Sequence, residues 1–128
     1  VPIRWSDVDR QGHVNNVSLA GYLQEARILA TTSWSPGMRR AGNYLWVVVR
    51  QDIRYRRQVL PTQRSCRVHT ALTRLGTSSM TLAGSIATEE GSALDAATVL
   101  VCVDPKTGAS VPIDDQTRQA LSAYLVTV

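Results

Sequence analysis

The densest concentration of reactive side chains is the run Asp7-Val8-Asp9-Arg10-Gln11-Gly12-His13-Val14-Asn15-Asn16. It holds two carboxylates, a histidine and two asparagines just before a segment with helical periodicity. A helix N-terminus presents unpaired N–H groups and a partial positive charge, so it can hold a developing oxyanion. A carboxylate beside it could attack an acyl carbon or activate water. Gly12 would let backbone approach a ligand closely. Helix capping is the structural alternative, since Asp and Asn commonly precede helices. Two acids, a glycine and a histidine exceed what capping requires.

A second chemical feature is arginine. The chain has 13 Arg and one Lys against 10 acids, a formal net charge of +4. Arg50, Arg54, Arg56, Arg57, Arg64 and Arg67 fall within one short stretch. A guanidinium fork matches phosphate oxygens, so this stretch is a candidate anion site. The alternative is a solvated strand face whose charges resist aggregation.

Other chemistries find less support. His13 and Asp9 could be two metal ligands, but no third has a diagnostic spacing, and no metal is expected. Cys66 and Cys102 sit in strand-like patterns and read as small buried hydrophobes. Ser78 and Ser79 lack the strand–turn–helix setting of a nucleophile elbow. No phosphate-loop or dinucleotide glycine pattern occurs.

These residues need elements to hold them. The 128 residues allow one domain, 1–128. Apolar residues at 44% and charged residues at 19% are ordinary globular composition and exclude disorder along the whole chain. No apolar run reaches the roughly 20 residues that span a bilayer. No basic segment followed by an apolar one opens the chain, so a cytoplasmic location with reduced thiols is expected. Residues 1–5 alternate and predict a short strand, and residues 6–15 a loop. Val17, Ala20, Leu23, Ala26 and Ala30 recur at helical spacing over 16–32, with Asn15 or Asn16 as N-cap. Gly21 inside that helix implies close packing, and apolar residues on more than one stripe predict that the helix is largely buried.

Trp34-Ser35-Pro36-Gly37 ends the helix, with a loop over 35–43. Four strands follow: Leu45–Val59, Ser65–Leu75, Ser78–Thr88 and Leu94–Val103, the last apolar enough to be central. In the first, alternation places Val49, Ile53 and Tyr55 on one face and Arg50, Asp52, Arg54 and Arg56 on the other. Turns are expected at Pro61-Thr62-Gln63, Gly76, Glu89-Glu90-Gly91 and Asp104–Gly108. The short connections predict an antiparallel meander. Asp114 caps a short last helix with Leu121 and Tyr124 inward. One sheet around one buried helix is an α+β arrangement.

At this point the chain resembles a known family. Arg4-Trp5-Ser6-Asp7-Val8-Asp9-Arg10-Gln11-Gly12-His13-Val14-Asn15-Asn16 followed by Tyr22-Leu23-Gln24-Glu25-Ala26-Arg27 is similar to the signature of hotdog-fold acyl-CoA thioesterases, above all the 4-hydroxybenzoyl-CoA thioesterase-like branch. Arg54-Tyr55-Arg56-Arg57, Arg74–Ser79 and Val111-Pro112-Ile113-Asp114 extend the resemblance over nearly the whole chain. It implies a hotdog fold, an antiparallel sheet wrapped around one long central helix, in a homodimer or tetramer with sites at the subunit interface.

It also implies roles. Asp9 matches the catalytic carboxylate, as nucleophile or general base. The backbone N–H of Asn16 matches the group that polarises the thioester carbonyl. His13 matches a histidine that assists or orients substrate, and Gly12 and Asn15 complete the loop. Arg54, Arg56 and Arg57 fall on a strand where coenzyme A phosphates could bind. There are departures. Leu19 stands where the family often has an aromatic residue. Gln58 stands where plant acyl-carrier-protein thioesterases carry a further acid. Asp9 and His13 are one residue closer than the Asp and His of hotdog hydratases.

The function this implies is hydrolysis of an acyl-CoA thioester without a cofactor. The alternative is a non-catalytic acyl-CoA binding or sensing domain on the same fold. Nucleic-acid binding through the arginines is disfavoured: aromatic interleaving is missing beyond Tyr55 and the C-terminal half is acidic. No membrane partner is expected.

Overall fold

The structure is a computed structural model that describes residues 1–35, 44–60, 65–89 and 91–126. Of the loop expected over 35–43 all but Ser35, the turn expected at Pro61-Thr62-Gln63, and Glu90 of the turn expected at Glu89-Glu90-Gly91 lie outside these residues. The chain runs through a 3₁₀ turn (Trp5–Asp7), helix α1 (Asn16–Trp34), strands β1 (Leu45–Tyr55), β2 (Arg67–Leu75), β3 (Ser79–Thr88) and β4 (Gly91–Val103), and helix α2 (Asp115–Ser122). The strands form one antiparallel sheet in the order β1-β4-β3-β2. This is the α+β arrangement expected, with β4 interior to the sheet.

The four strands are not a simple meander. β2, β3 and β4 follow one another as hairpins, but β1 pairs with β4. The link from β1 to β2 carries the fully buried Val59, whose carbonyl accepts the Val14 amide at 2.8 Å. Its residues up to Val59 therefore run against the loop that precedes α1 rather than turning straight toward β2.

The expected first strand is also absent. Pro2 forms one isolated bridge to Ser65, and the Val1 and Cys66 backbones bond each other. Beyond that the Asp7 carboxylate accepts the Arg4 amide at 3.0 Å and winds the chain into the 3₁₀ turn, leaving Trp5 93% exposed. Alternation in so short a stretch yields to this local side-chain bond.

α1 lies where its periodicity put it and continues two residues further. Asn15 is its cap, its side chain accepting the Val17 amide at 2.8 Å. The helix packs on β2 and β3 and buries Leu19, Tyr22, Leu23 and Thr31, while Val17 and Leu29 are exposed. Within one chain it is thus half covered rather than largely buried. Gly21 is exposed, with no atom within 4 Å of where a Cβ would sit, so close packing in this chain is not its reason. The glycine that permits close approach is Gly84 on β3. A Cβ there would stand 3.1 Å from Leu23 Cδ2.

Two apolar clusters form the core. One joins Val14, Leu19, Tyr22, Leu23, Val59, Cys66, Ile86, Ala93 and Leu94 beneath the start of α1. The other joins Leu72, Met80, Leu82, Leu100 and Leu121 beside α2. Leu121 is buried as expected, but Tyr124 lies past the end of α2 and stacks on Trp34. In β1 a bulge between Val48 and Arg50 breaks the alternation at Val49. Ile53 and Tyr55 stand opposite Ala96 and Leu94 on the helix side, and Arg50, Asp52 and Arg54 occupy the other face. Among the described residues no helix is long and apolar enough to cross a membrane.

Candidate active site

The polar run between the 3₁₀ turn and α1 is a closed loop. At its base the Asn15 amide donates to the Asp7 carbonyl at 2.7 Å, and Val8 bridges Val14. Nearer the tip the Asp9 amide donates to the His13 carbonyl at 2.9 Å, and the Gly12 amide returns to the Asp9 carbonyl at 3.1 Å. Gly12 has φ +84°, a left-handed conformation that disfavours any residue with a Cβ.

Asp9 is fixed by one oxygen. Its Oδ1 accepts the Gln11 amide at 2.9 Å and the His13 amide at 3.4 Å, and lies 3.7 Å from His13 Nδ1. No hydrogen bond to Oδ2 occurs among the described residues. Asn16 follows as the first residue of α1, and its amide has no intrahelical acceptor.

The opposite wall comes from the end of β1. The Arg56 and Arg57 amides both donate to the Ala93 carbonyl, at 2.8 and 3.1 Å, which turns the chain toward the loop. The Tyr55 hydroxyl reaches the Asn16 carbonyl at 3.4 Å. Between these walls is a cleft of about 310 Å³ lined by Asp9, Gln11, His13, Val14, Asn16, Leu19, Tyr55, Arg56, Arg57 and Gln58. The structure thus brings Asp9, His13, Asn16, Arg56 and Arg57 to one place. Gly12 and Asn15 stand behind it, shaping the loop and capping the helix. Arg54 does not line the cleft; it stands across from Asp95 on β4. Asp95 also pairs with Arg56, and the Ser92 hydroxyl and the Arg56 guanidinium hold its carboxyl below the usual range.

Tyr55 lines the cleft although the sequence reading gave it no role in the site. Its alternation with Ile53 toward the helix side is the signal that points it at the cleft. Gln58 and Leu19, which stand out as departures from the family pattern, both line the cleft. Among the described residues no three of His, Cys, Asp and Glu group as metal ligands.

Asp7 lies behind the loop and is 5% exposed. Its Oδ2 accepts the Tyr22 hydroxyl at 2.5 Å, the Arg4 amide at 3.0 Å and Arg4 Nε at 3.2 Å. The Tyr22 hydroxyl first, and then Arg4, hold the carboxyl down to about 2, against burial, which pushes it up. Burial and the Asp7 carboxylate hold the Tyr22 phenol far above its ordinary range. A carboxyl lowered on folding stabilises the fold at pH values above its unfolded pKa, and that contribution is lost as pH falls through its folded pKa. Wild-type stability is therefore expected to fall between pH 3.8 and about 2 more steeply than that of Asp7→Asn. Urea midpoints across this range check it, and parallel curves would contradict it.

Comparison with known proteins now identifies the class. Residues 3–121 match the thioesterase-like superfamily, and the chain belongs to that family. Among curated relatives it is 31% identical, over 94% of its length and 82% of theirs, to the uncharacterized protein YsmA of Bacillus subtilis. A thioesterase of Thermus thermophilus, solved with coenzyme A and zinc, is 29% identical with a TM-score of 0.82, over 97% of this chain and 90% of that one. A thioesterase-superfamily structure from Jannaschia sp. CCS1 has a TM-score of 0.88 at 20% identity, over 99% of this chain and 91% of that one. The fold is the hotdog fold.

Proposed function

We propose that this chain hydrolyses acyl-CoA thioesters in the cleft between the Asp9 loop and the end of β1. The observation that carries the reading is the convergence of a half-anchored carboxylate, a helix N-terminus and two arginines on one cleft. Asp9 Oδ2 acts on the thioester carbonyl carbon in one of two ways. It adds directly, giving an anhydride that water then opens, or it takes the proton of an attacking water. In both routes the carbonyl oxygen becomes an oxyanion facing the Asn16 amide, and the C–S bond breaks as the coenzyme A thiolate leaves. His13 stands beside Asp9 to orient substrate. The coenzyme A in the Thermus thermophilus relative supports the choice of thioester.

Arg56 and Arg57 hold phosphate oxygens of the coenzyme A portion. Phosphate contacts bind ground and transition states alike, so replacing both with Ala is expected to raise KM more than it lowers kcat. A loss confined to kcat contradicts that placement. Arg54 contributes charge near this wall without lining it.

The active form is a homodimer or a multiple of it. β1 is an edge strand with Leu45, Val47, Val48 and Val49 exposed, a surface that a second copy would cover. Light scattering on the active enzyme tests this, and a monomer would overturn it.

The experiment for the whole reading is free-thiol release from a panel of short, long and aromatic acyl-CoAs. Turnover names the acyl class. No release from any thioester by folded protein, with acyl-CoA still bound, leaves a binding or sensing domain instead.

A further inference from the structure

We infer that Asp7 and Tyr22 are positioning residues that set Asp9 against the start of α1, an inference that rests on the proposed hydrolysis. Asp7 stands at the base of the loop whose tip holds Asp9. Its carbonyl accepts the amide of Asn15, the cap of α1. Its carboxylate accepts the hydroxyl of Tyr22, which lies on α1 two turns in and has no exposed surface. One residue thus joins the 3₁₀ turn, the helix cap and the body of the helix.

The geometry separates two tasks. Asp9 and the Asn16 amide must lie at fixed distances from one carbonyl group. They belong to different pieces of chain, a loop and a helix. The Val8–Val14 bridge and the Asp9–His13 pairing fix the loop's own shape. They do not by themselves fix how that loop is placed along α1. The Asp7–Tyr22 bond does, because it is buried, directional and ties the loop's base to the helix side. The Val14–Val59 bond holds the loop from the opposite side, toward the cleft's other wall.

The chemistry of the pair points the same way. A buried carboxylate is expensive to desolvate, and a well-packed apolar pair of similar volume is often at least as stable. What the charged hydrogen bond adds is a fixed distance and direction. The Arg4 guanidinium supplies the opposite charge through its Nε, and the Arg4 amide adds a further hydrogen bond to the same oxygen. A shift of about 1 Å in a reacting group can lower a rate by about a hundredfold.

The test is Tyr22→Phe, which keeps the ring and deletes the hydroxyl. Its kcat for thioester hydrolysis is expected to fall about tenfold to a hundredfold with KM little changed. A role in stability alone would lower the unfolding midpoint and leave kcat of the folded enzyme at the wild-type value, and that result overturns the inference. Asp7→Asn keeps an oxygen that can accept the Tyr22 hydroxyl and is expected to keep more kcat than Tyr22→Phe. If Tyr22→Phe does not fold, the reading is taken on Asp7→Ala, which removes the acceptor of the Tyr22 hydroxyl and for which wild-type kcat overturns the inference.

Amide exchange provides a readout independent of activity. In Tyr22→Phe, exchange at Gln11, His13 and Asn15 is expected to quicken while Ile113, bonded to Thr77 at the far end of the molecule, keeps its rate. If wild type releases thiol from no thioester, the proposed hydrolysis fails and exchange alone decides the loop-holding role. Quickened loop exchange then supports it and unchanged exchange overturns it.

Discussion

Replacing Asp9 with Asn is expected to lower kcat by about 10²–10⁴-fold, the range that a positioned proton-transfer group contributes. The substitution separates chemistry from architecture. Asn retains an oxygen at the Oδ1 position, so the Gln11 and His13 amides keep their acceptor and the loop keeps its turn. The negative charge disappears, and with it the capacity either to attack an acyl carbon or to take a proton from water. KM and the unfolding midpoint should therefore change little. Thiol release by wild type and variant, measured side by side over the acyl-CoA panel, checks this. Retention of near-wild-type kcat would remove Asp9 from the mechanism and leave the helix N-terminus without its partner.

Replacing Ile86 with Ala is expected to cost about 2–5 kcal/mol of folding stability. Ile86 has no exposed surface. It stands on β3 between Val68 of β2 and Leu94 of β4, within the cluster that includes Val14, Leu19 and Tyr22. Truncation removes three carbons from a site braced by strands on both sides and by α1 above, so little collapse can fill the gap. Domains are commonly stable by about 5–15 kcal/mol, so this one change takes a large share. Urea unfolding should show a lower midpoint with an unchanged slope. A loss below about 1 kcal/mol would mean that the strands close over the cavity.

Much of the candidate site's geometry could be read from the sequence because it is local. Asp9, Gly12, His13, Asn15 and Asn16 are near neighbours, and most of their hydrogen bonds run to residues only a few positions away. Residue type and position narrowed the cap to Asn15 or Asn16, and the structure uses Asn15. The Asp7–Tyr22 bond could not be read in this way, because its partners are 15 residues apart on different elements. Periodicity could not reveal it, since Tyr22 occupies an ordinary inward position of α1.

The fold divides along the same line. The hairpins of β2, β3 and β4 could be read from turns and alternation. The pairing of β1 with β4 could not, because no local signal specifies a partner so far along the chain. Alternation at residues 1–5 failed where the Asp7 carboxylate captured the Arg4 amide. The coverage of α1 failed for another reason: apolar residues such as Val17 and Leu29 mark a surface that avoids water without saying whether the same chain covers it.

The sheet order has a consequence for when the chain becomes competent. The Asp9 wall of the cleft closes through contacts between near neighbours in sequence, which can form early and quickly. The Tyr55–Gln58 wall is delivered by β1, and β1 is fastened by β4, whose residues Leu94 and Ala93 lie about forty positions later. A nascent chain that has not yet extended through β4 therefore has half a cleft and nothing to complete it. Once the chain is whole, the proposed turnover can return only after this long-range pairing forms, while helix signals report only the local half. Activity measured during refolding thus cannot precede that long-range step.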